Sequence, residues 1–152
     1  MSAPIDIDEV DKAIIRHLQE DGRMPYSRLG PAVGLSQAAV RQRVQRLIEK
    51  GVMLIVAITD PVTLGFAVQA MIGIGVEGNV RAVADALSEL HEVEYVVITA
   101  GRFELLVELV CKDMHALFDL VNDRIRPVKG VRSTEIFTYL ALAKRSYSWD
   151  TA

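Results

Sequence analysis

An order of strand, helix and strand occurs twice between residues 66 and 142, and this repetition leaves few folds open. Runs of β-branched or alternating apolar residues predict strands, and apolar residues three or four apart predict helices. The elements lie at 66–76, 80–90 and 93–100 in the first copy, and at 103–111, 114–125 and 131–142 in the second. This order is that of the split βαβ, or ferredoxin-like, architecture. We therefore expect an α+β fold with a four-stranded sheet and both helices on one face.

The other face of this sheet is predicted to be apolar too, although a face in water should be largely polar. The strand at 103–111 places Phe103, Leu105, Val107, Leu109 and Cys111 on one side, and Leu106 and Val110 among two glutamates on the other. An exposed apolar surface of this size marks an interface, so we expect two copies to pair sheet to sheet. The alternative is that the N-terminal part of the chain covers this face.

Three short helices are predicted before residue 52, at 8–19, 27–33 and 36–50. Asp8, Ser27 and Ser36 are candidate N-caps, and Gly34 and Gly51 are candidate left-handed residues after the second and third helices. Only two residues and the cap separate these two helices. Because the connection is so short, the helices must cross steeply, as in a helix-turn-helix.

The β-branched residues after Gly51 predict an extended connector. We accordingly divide the chain into a helix-turn-helix domain, a linker strand, a ferredoxin-like domain and a C-terminal tail, at residues 1–52, 53–65, 66–145 and 146–152. The chain has one cysteine, which excludes an internal disulfide and a multi-cysteine metal site. No apolar stretch is long enough for a membrane helix, and the first 25 residues do not resemble a secretory leader. We expect a cytoplasmic protein without a membrane partner.

Charge is distributed unevenly along the chain. Residues 22–51 contain six basic residues and one acidic residue, a net charge of +5, whereas the whole chain carries −3. The remaining residues therefore carry −8. A cationic segment on an acidic protein can attract a polyanion locally, but composition alone is equally compatible with a solvated helix face.

The third predicted helix has the chemistry that the DNA major groove requires. The N-terminus of such a helix faces bases and offers free amides to phosphates, while arginines neutralise phosphates or read guanine. With the arginines expected to point outward, the candidate DNA contacts are Arg28, Ser36, Gln37, Ala38, Arg41, Gln42, Arg43 and Arg46. The predicted partner is double-stranded DNA.

The chain resembles the leucine-responsive and asparagine-responsive regulator family, Lrp/AsnC. The matching stretches are residues 11–23, 33–36, 40–52 and 60–65, in this order and at these spacings. The resemblance implies an N-terminal DNA-binding domain and a C-terminal βαββαβ domain that senses a small effector, often an amino acid. It also implies homodimers that assemble into tetramers, octamers or larger rings, with effectors bound where dimers meet.

The resemblance carries an effector site onto the predicted turn after residue 100. The family pattern there is glycine, any residue, an aromatic residue and an acid, and this chain has Gly101, Arg102, Phe103 and Glu104. Phenylalanine lacks the hydroxyl of the commoner tyrosine, and glutamate is longer than aspartate. Turn amides can hold a carboxylate and an acid can pair with an ammonium group, so the candidate contacts are Thr99, Ala100, Gly101, Phe103 and Glu104. Alternatively, Gly101 only permits the tight hairpin reversal and Glu104 caps a solvated edge.

Two other classes of function remain as alternatives. An RNA-binding module needs exposed aromatic residues on its central strands, and Glu104 and Glu108 oppose this. A small ferredoxin-like enzyme, or an amino-acid-binding protein without a DNA role, is the second alternative. The histidines have no metal-ligand spacing, and Cys111 has no evident activating base. We therefore predict no catalytic residue, no metal site and no cofactor.

Overall fold

The computed structural model describes residues 6–144. These residues form two compact units. The first contains residues 6–58 and residue 144, and the second contains Thr59–Ala143. The predicted tail, residues 146–152, lies outside the described residues, as do residue 145 and the first five residues of the predicted N-terminal domain.

The first unit contains three helices, α1 (Glu9–Glu20), α2 (Tyr26–Ala32) and α3 (Gln37–Glu49). Asp8 caps α1 in a reciprocal capping box, and the Ser36 hydroxyl caps α3 by accepting a hydrogen bond from the Ala39 amide at 3.2 Å. The predicted Ser27 cap is wrong. The observed N-cap is Pro25, two residues before Ser27, and its fixed φ of −67° and extended ψ place the chain at a helix entry without a side-chain cap.

Helices α2 and α3 are joined by a tight turn, as the sequence predicts. Gly34 and Gly51 have φ of 72° and 69°, which are left-handed values that favour glycine. The core of this unit is apolar and consists of Ile14, Leu18, Leu29, Val40, Val44 and Leu47. Because α2 is so short, it depends on this core for its stability.

The connector differs from the predicted linker strand. Within the described part of the chain, residues 53–65 pair with no strand, and residues 61–65 form a turn. A β-branched sequence favours an extended backbone, but a strand also needs a neighbour to complete its hydrogen bonds. The apolar side chains of the connector therefore stay exposed, with Leu54 at 74% and Val56 at 67% of their full accessibility.

The second unit has the predicted βαββαβ order. Its elements are β1 (Val68–Val76), α4 (Val80–Ser88), β2 (Val93–Ile98), β3 (Leu105–Cys111), α5 (Met114–Asp119), a π-helical turn (Leu120–Ile125) and β4 (Val131–Thr138). The strands form one antiparallel sheet in the order β2-β3-β1-β4. Several elements are shorter than predicted, and β4 ends at Thr138 because its pairing with β1 ends there.

The strands alternate between a buried face and an open face. The buried side chains of β1 and β3 pack in one core with α4 and α5, as Ile72, Ile74, Leu105, Leu109, Leu87 and Leu117 show. The open face carries exposed Tyr95 and Val97 on β2 and Phe137 on β4. The apolar open face expected from the sequence is therefore present.

Phe103 lies on the other side of the sheet from the one predicted. It precedes β3, so the alternation of that strand does not set its direction. Its ring occupies the space where a side chain on Gly73 would lie, since a Cβ there would be 2.5 Å from the ring. It also packs edge-on against Phe137, with ring centroids 6.2 Å apart.

Candidate functional site

Helix α3 presents one exposed polar face. Residues at positions 37, 38, 41, 42 and 45 fall on one side of a helix with 3.6 residues per turn. Gln37, Ala38, Arg41, Gln42 and Gln45 are all exposed, and Ser36 is exposed at the cap. Gln45 is absent from the predicted contacts, although the same helical spacing would have included it. Its amide donates to Glu49 at 2.9 Å.

Arg43 is partly buried and Arg46 is exposed, but both are paired with carboxylates of α1 rather than left free as expected. Arg43 Nη1 lies 2.7 Å from Asp8 Oδ2 and 2.8 Å from Asp11 Oδ1, and Arg46 pairs with the second carboxylate oxygen of Asp11. Asp11 is fully buried. We name these four residues the α1–α3 ion cluster.

Helical geometry explains this correction. Arg43 follows Arg41 by two residues, which is about 200° around the helix, so the two side chains leave opposite flanks. The side of α3 that carries Arg43 and Arg46 faces α1. The capping box at the start of α1 holds the carboxylates of Asp8 and Asp11 together there. Hydrogen bonds from the Asp11 amide and then from Arg43 hold the pKa of Asp8 below its ordinary value. The pKa of Arg43 is raised, first by Asp11 and then by Asp8.

Arg41 lies on the opposite flank of α3, beside Tyr26. Its guanidinium carbon is 5.9 Å from the centroid of the Tyr26 ring. Tyr26, Arg41, Val44 and Gln45 line part of a shallow cleft of about 330 Å³. Arg28 is exposed on α2. The structure thus leaves Arg28 and Arg41 as the predicted contacts that keep an exposed cation outside the α1–α3 ion cluster.

The second candidate site is the turn between β2 and β3. The Thr99 amide donates to the Glu104 carbonyl at 3.0 Å, and the Thr99 hydroxyl donates to the Phe103 carbonyl at 2.6 Å. Glu104 Oε2 accepts a hydrogen bond from the Val76 amide at 2.8 Å. This bond lowers the pKa of Glu104, with a smaller contribution from Arg132. Glu104 is therefore an anion that is fixed to the end of β1.

Gly101 has a different environment from the one predicted. Its φ is not left-handed, and a Cβ at this position would meet no atom of residues 6–144 within 4 Å beyond its chain neighbours. The hairpin reversal therefore does not require glycine here. The neighbouring Arg102 is held over the Phe103 ring at 5.3 Å and pairs with Glu135 at 3.0 Å. These contacts fix the turn and leave Ala100 and Gly101 exposed.

The described part of the chain supports neither a metal-binding cluster nor a reactive thiol nor a membrane-spanning helix. No group of three or more metal-binding side chains lies together among residues 6–144. Burial raises the pKa of Cys111, which disfavours the reactive thiolate. Among the same residues, none of the helices is long and apolar enough to cross a membrane.

Two family models match the chain: an AsnC-type helix-turn-helix domain over residues 7–48, and an Lrp/AsnC ligand-binding domain over residues 69–149. The chain belongs to the Lrp/AsnC family. An HTH-type transcriptional regulator of Pyrococcus abyssi is 34% identical over 149 residues, which cover 97% of this chain and 94% of the relative. The predicted family is confirmed.

Solved structures of this family share the fold. The feast or famine regulatory protein of M. tuberculosis complexed with L-methionine is 28% identical, with a TM-score of 0.87 over 96% of this chain and 100% of that one. E. coli AsnC is 24% identical and has a TM-score of 0.84 over 95% and 99% of the chains, which shows the fold alone. The predicted α+β fold is thus confirmed. The chain is a DNA-binding transcription regulator with a ligand-binding domain, and its family is one of regulators rather than enzymes.

Proposed function

We propose that this regulator binds duplex DNA with the outward face of α3. The observation that carries this proposal is the exposed face formed by Gln37, Ala38, Arg41 and Gln42, next to the N-terminus of α3. Glutamine reads adenine, arginine reads guanine or neutralises a phosphate, and alanine contacts the thymine methyl group. Arg28 on α2 supplies a further phosphate contact. Arg43 and Arg46 hold α3 against α1 through the α1–α3 ion cluster.

Replacing Arg41 with alanine tests this proposal. A protein that neutralises one phosphate fewer releases fewer counterions, so the slope of log affinity against log salt should fall by about 0.9. The measurement is fluorescence anisotropy with a duplex that the parent protein selects from a random-sequence pool. Arg81→Ala, on the exposed surface of α4, is the matched control and should keep the parental slope. Parental affinity and slope in Arg41→Ala would contradict the proposal.

The open face of the sheet supports a homodimer. Tyr95 and Val97 retain 66% and 44% of their accessibility, and Phe137 retains 44%, which is unusual for an isolated domain surface. A symmetric dimer through this face could present two copies of α3 to major grooves about 34–36 Å apart on a palindromic site. Sedimentation equilibrium at micromolar concentration should give two copies or a multiple of two, and Val97→Lys should favour the monomer. A monomeric parent would contradict the proposed dimer.

An amino acid is the proposed effector, bound at the turn between β2 and β3. Ala100 and Gly101 are exposed, so turn amides there can donate to a ligand carboxylate, and Glu104 can accept from an ammonium group. The open space at Gly101 supports the approach of a ligand or a second copy. The effector would favour one packing of dimers, in tetramers or octamers, through differential affinity.

A thermal-shift screen of the twenty amino acids at millimolar concentration tests the effector site. Binding to the native state alone, at a hundred times the dissociation constant, stabilises by about 2.7 kcal/mol. Glu104→Gln keeps an acceptor for the Val76 amide and removes the charge, so this variant should lose the shift without unfolding. No shift with any amino acid, or an equal shift in Glu104→Gln, would remove the support for this site.

A further inference from the structure

The ring of Tyr26 has no part in the function as described so far. Tyr26 is the first residue of α2, and its partly buried side chain packs against the core of the first unit, which fixes the ring. The Arg41 guanidinium carbon lies 5.9 Å from the ring centroid. A cation over the face of an aromatic ring within about 6 Å is attracted by the ring quadrupole. The ring is therefore a fixed platform for this guanidinium.

Arg41 differs electrostatically from the other arginines of α3. The α1–α3 ion cluster contains two arginines and two aspartates, so it has no net charge to offer to DNA. Within residues 6–144, Arg41 forms no ion pair with a carboxylate. Its contact with an uncharged ring leaves the full positive charge available. Arg41 is therefore the α3 arginine whose charge a phosphate can meet without first displacing a carboxylate.

Holding the Arg41 side chain in place before binding favours its contact with DNA. A long arginine side chain loses rotamer freedom when it contacts a phosphate or a base edge. Because the ring confines the guanidinium beside the exposed face of α3, part of that loss occurs before DNA arrives. Such preorganisation increases affinity without adding a contact to the partner.

We infer that Tyr26 is a positioning residue for DNA binding: its ring holds the Arg41 guanidinium on the flank of α3 opposite the ion cluster, ready for a phosphate or a guanine edge. This inference rests on the proposed role of α3. The ring acts through Arg41 and needs no contact of its own with DNA. Its face carries the effect, so the phenolic hydroxyl is dispensable.

A double-mutant cycle tests the inference with the duplex that the parent protein selects from a random-sequence pool. Tyr26→Leu keeps an apolar side chain for the core and removes the ring, so affinity should fall about two- to fivefold, because the Arg41 side chain must then be ordered when DNA binds. Tyr26→Phe should restore parental affinity. In an Arg41→Ala background, Tyr26→Leu should have no further effect, because no guanidinium remains to be held.

The melting temperature of each variant separates this role from simple packing. If Tyr26→Leu lowers the melting temperature, Arg41→Lys provides the readout in a fully folded chain. Lysine keeps the charge but not the planar stack, so its affinity should fall as in Tyr26→Leu. An equal loss of duplex affinity from Tyr26→Leu with and without Arg41 would overturn this inference. Parental affinity in Arg41→Lys would do the same. Either result would leave the proposed function in place. A parent that selects no duplex would overturn the proposed function, and the inference with it.

Discussion

Replacing Asp11 with asparagine is expected to lower the unfolding free energy of the first unit by about 3 kcal/mol. Asp11 is fully buried and is the anion that both Arg43 and Arg46 contact. Asparagine preserves the shape, but among residues 6–144 it leaves Arg43 paired with Asp8 alone and Arg46 without an ion pair. Removing one partner of a buried ion pair costs about 3–5 kcal/mol, and the lower end applies because the arginine side chains are 30% and 45% exposed.

Hydrogen exchange of the α1 and α3 amides measures this loss for the first unit specifically. Glu9→Gln is the matched control on the same helix. Glu9 pairs with Lys12 at 3.2 Å, but its side chain is 82% exposed, so the control should change stability by less than about 1 kcal/mol. If Asp11→Asn and Glu9→Gln changed protection equally, the ion cluster would not hold α3 on α1.

Replacing Gly30 with alanine is expected to destabilise the first unit by about 2 kcal/mol, although alanine is the better helix former. Gly30 is buried within α2, where a Cβ would lie 2.7 Å from the Leu35 carbonyl oxygen and 3.3 Å from the Gln37 amide nitrogen. Both neighbours are backbone atoms, so α2 and the start of α3 would have to separate. DNA affinity should fall as well, because the crossing of these helices sets the direction of α3.

Gly22→Ala is the matched control for this substitution. Its Cβ would meet only ordinary contacts, 3.6 Å from the Leu18 carbonyl oxygen and 3.8 Å from Ile55, and its φ is not left-handed. This variant should be neutral or slightly stabilised through the unfolded state. Urea unfolding and duplex binding of both variants provide the comparison. A Gly30→Ala protein that gained stability would show that helix propensity outweighs the steric contact.

Local signals were enough to predict most of the fold. Capping side chains and left-handed glycines act within a few residues, so Asp8, Ser36, Gly34 and Gly51 place helix ends correctly. The βαββαβ order follows in the same way from periodicity. The predicted Ser27 cap is wrong because α2 begins after Pro25, whose fixed φ starts the helix without a capping side chain. The connector lacks its predicted strand because pairing depends on a neighbour.

Contacts distant in sequence could not be predicted from such signals. Asp11 and its arginines are 32 and 35 residues apart, so the pairing that occupies the charges of Arg43 and Arg46 becomes visible only when α1 and α3 pack. Phe103 crosses to the open face because Gly73 leaves space for its ring. In each case the side-chain direction is set by tertiary packing rather than by the local pattern.

Site-specific photo-cross-linking to duplex DNA tests most directly whether the outward face of α3 reads DNA. A photoreactive amino acid is placed at position 42 on that face or at position 20, an exposed position at the end of α1. Position 42 should cross-link to the selected duplex, and unlabelled duplex should compete. Position 20 should give no cross-link. Cross-links from position 20 without any from position 42 would contradict the account.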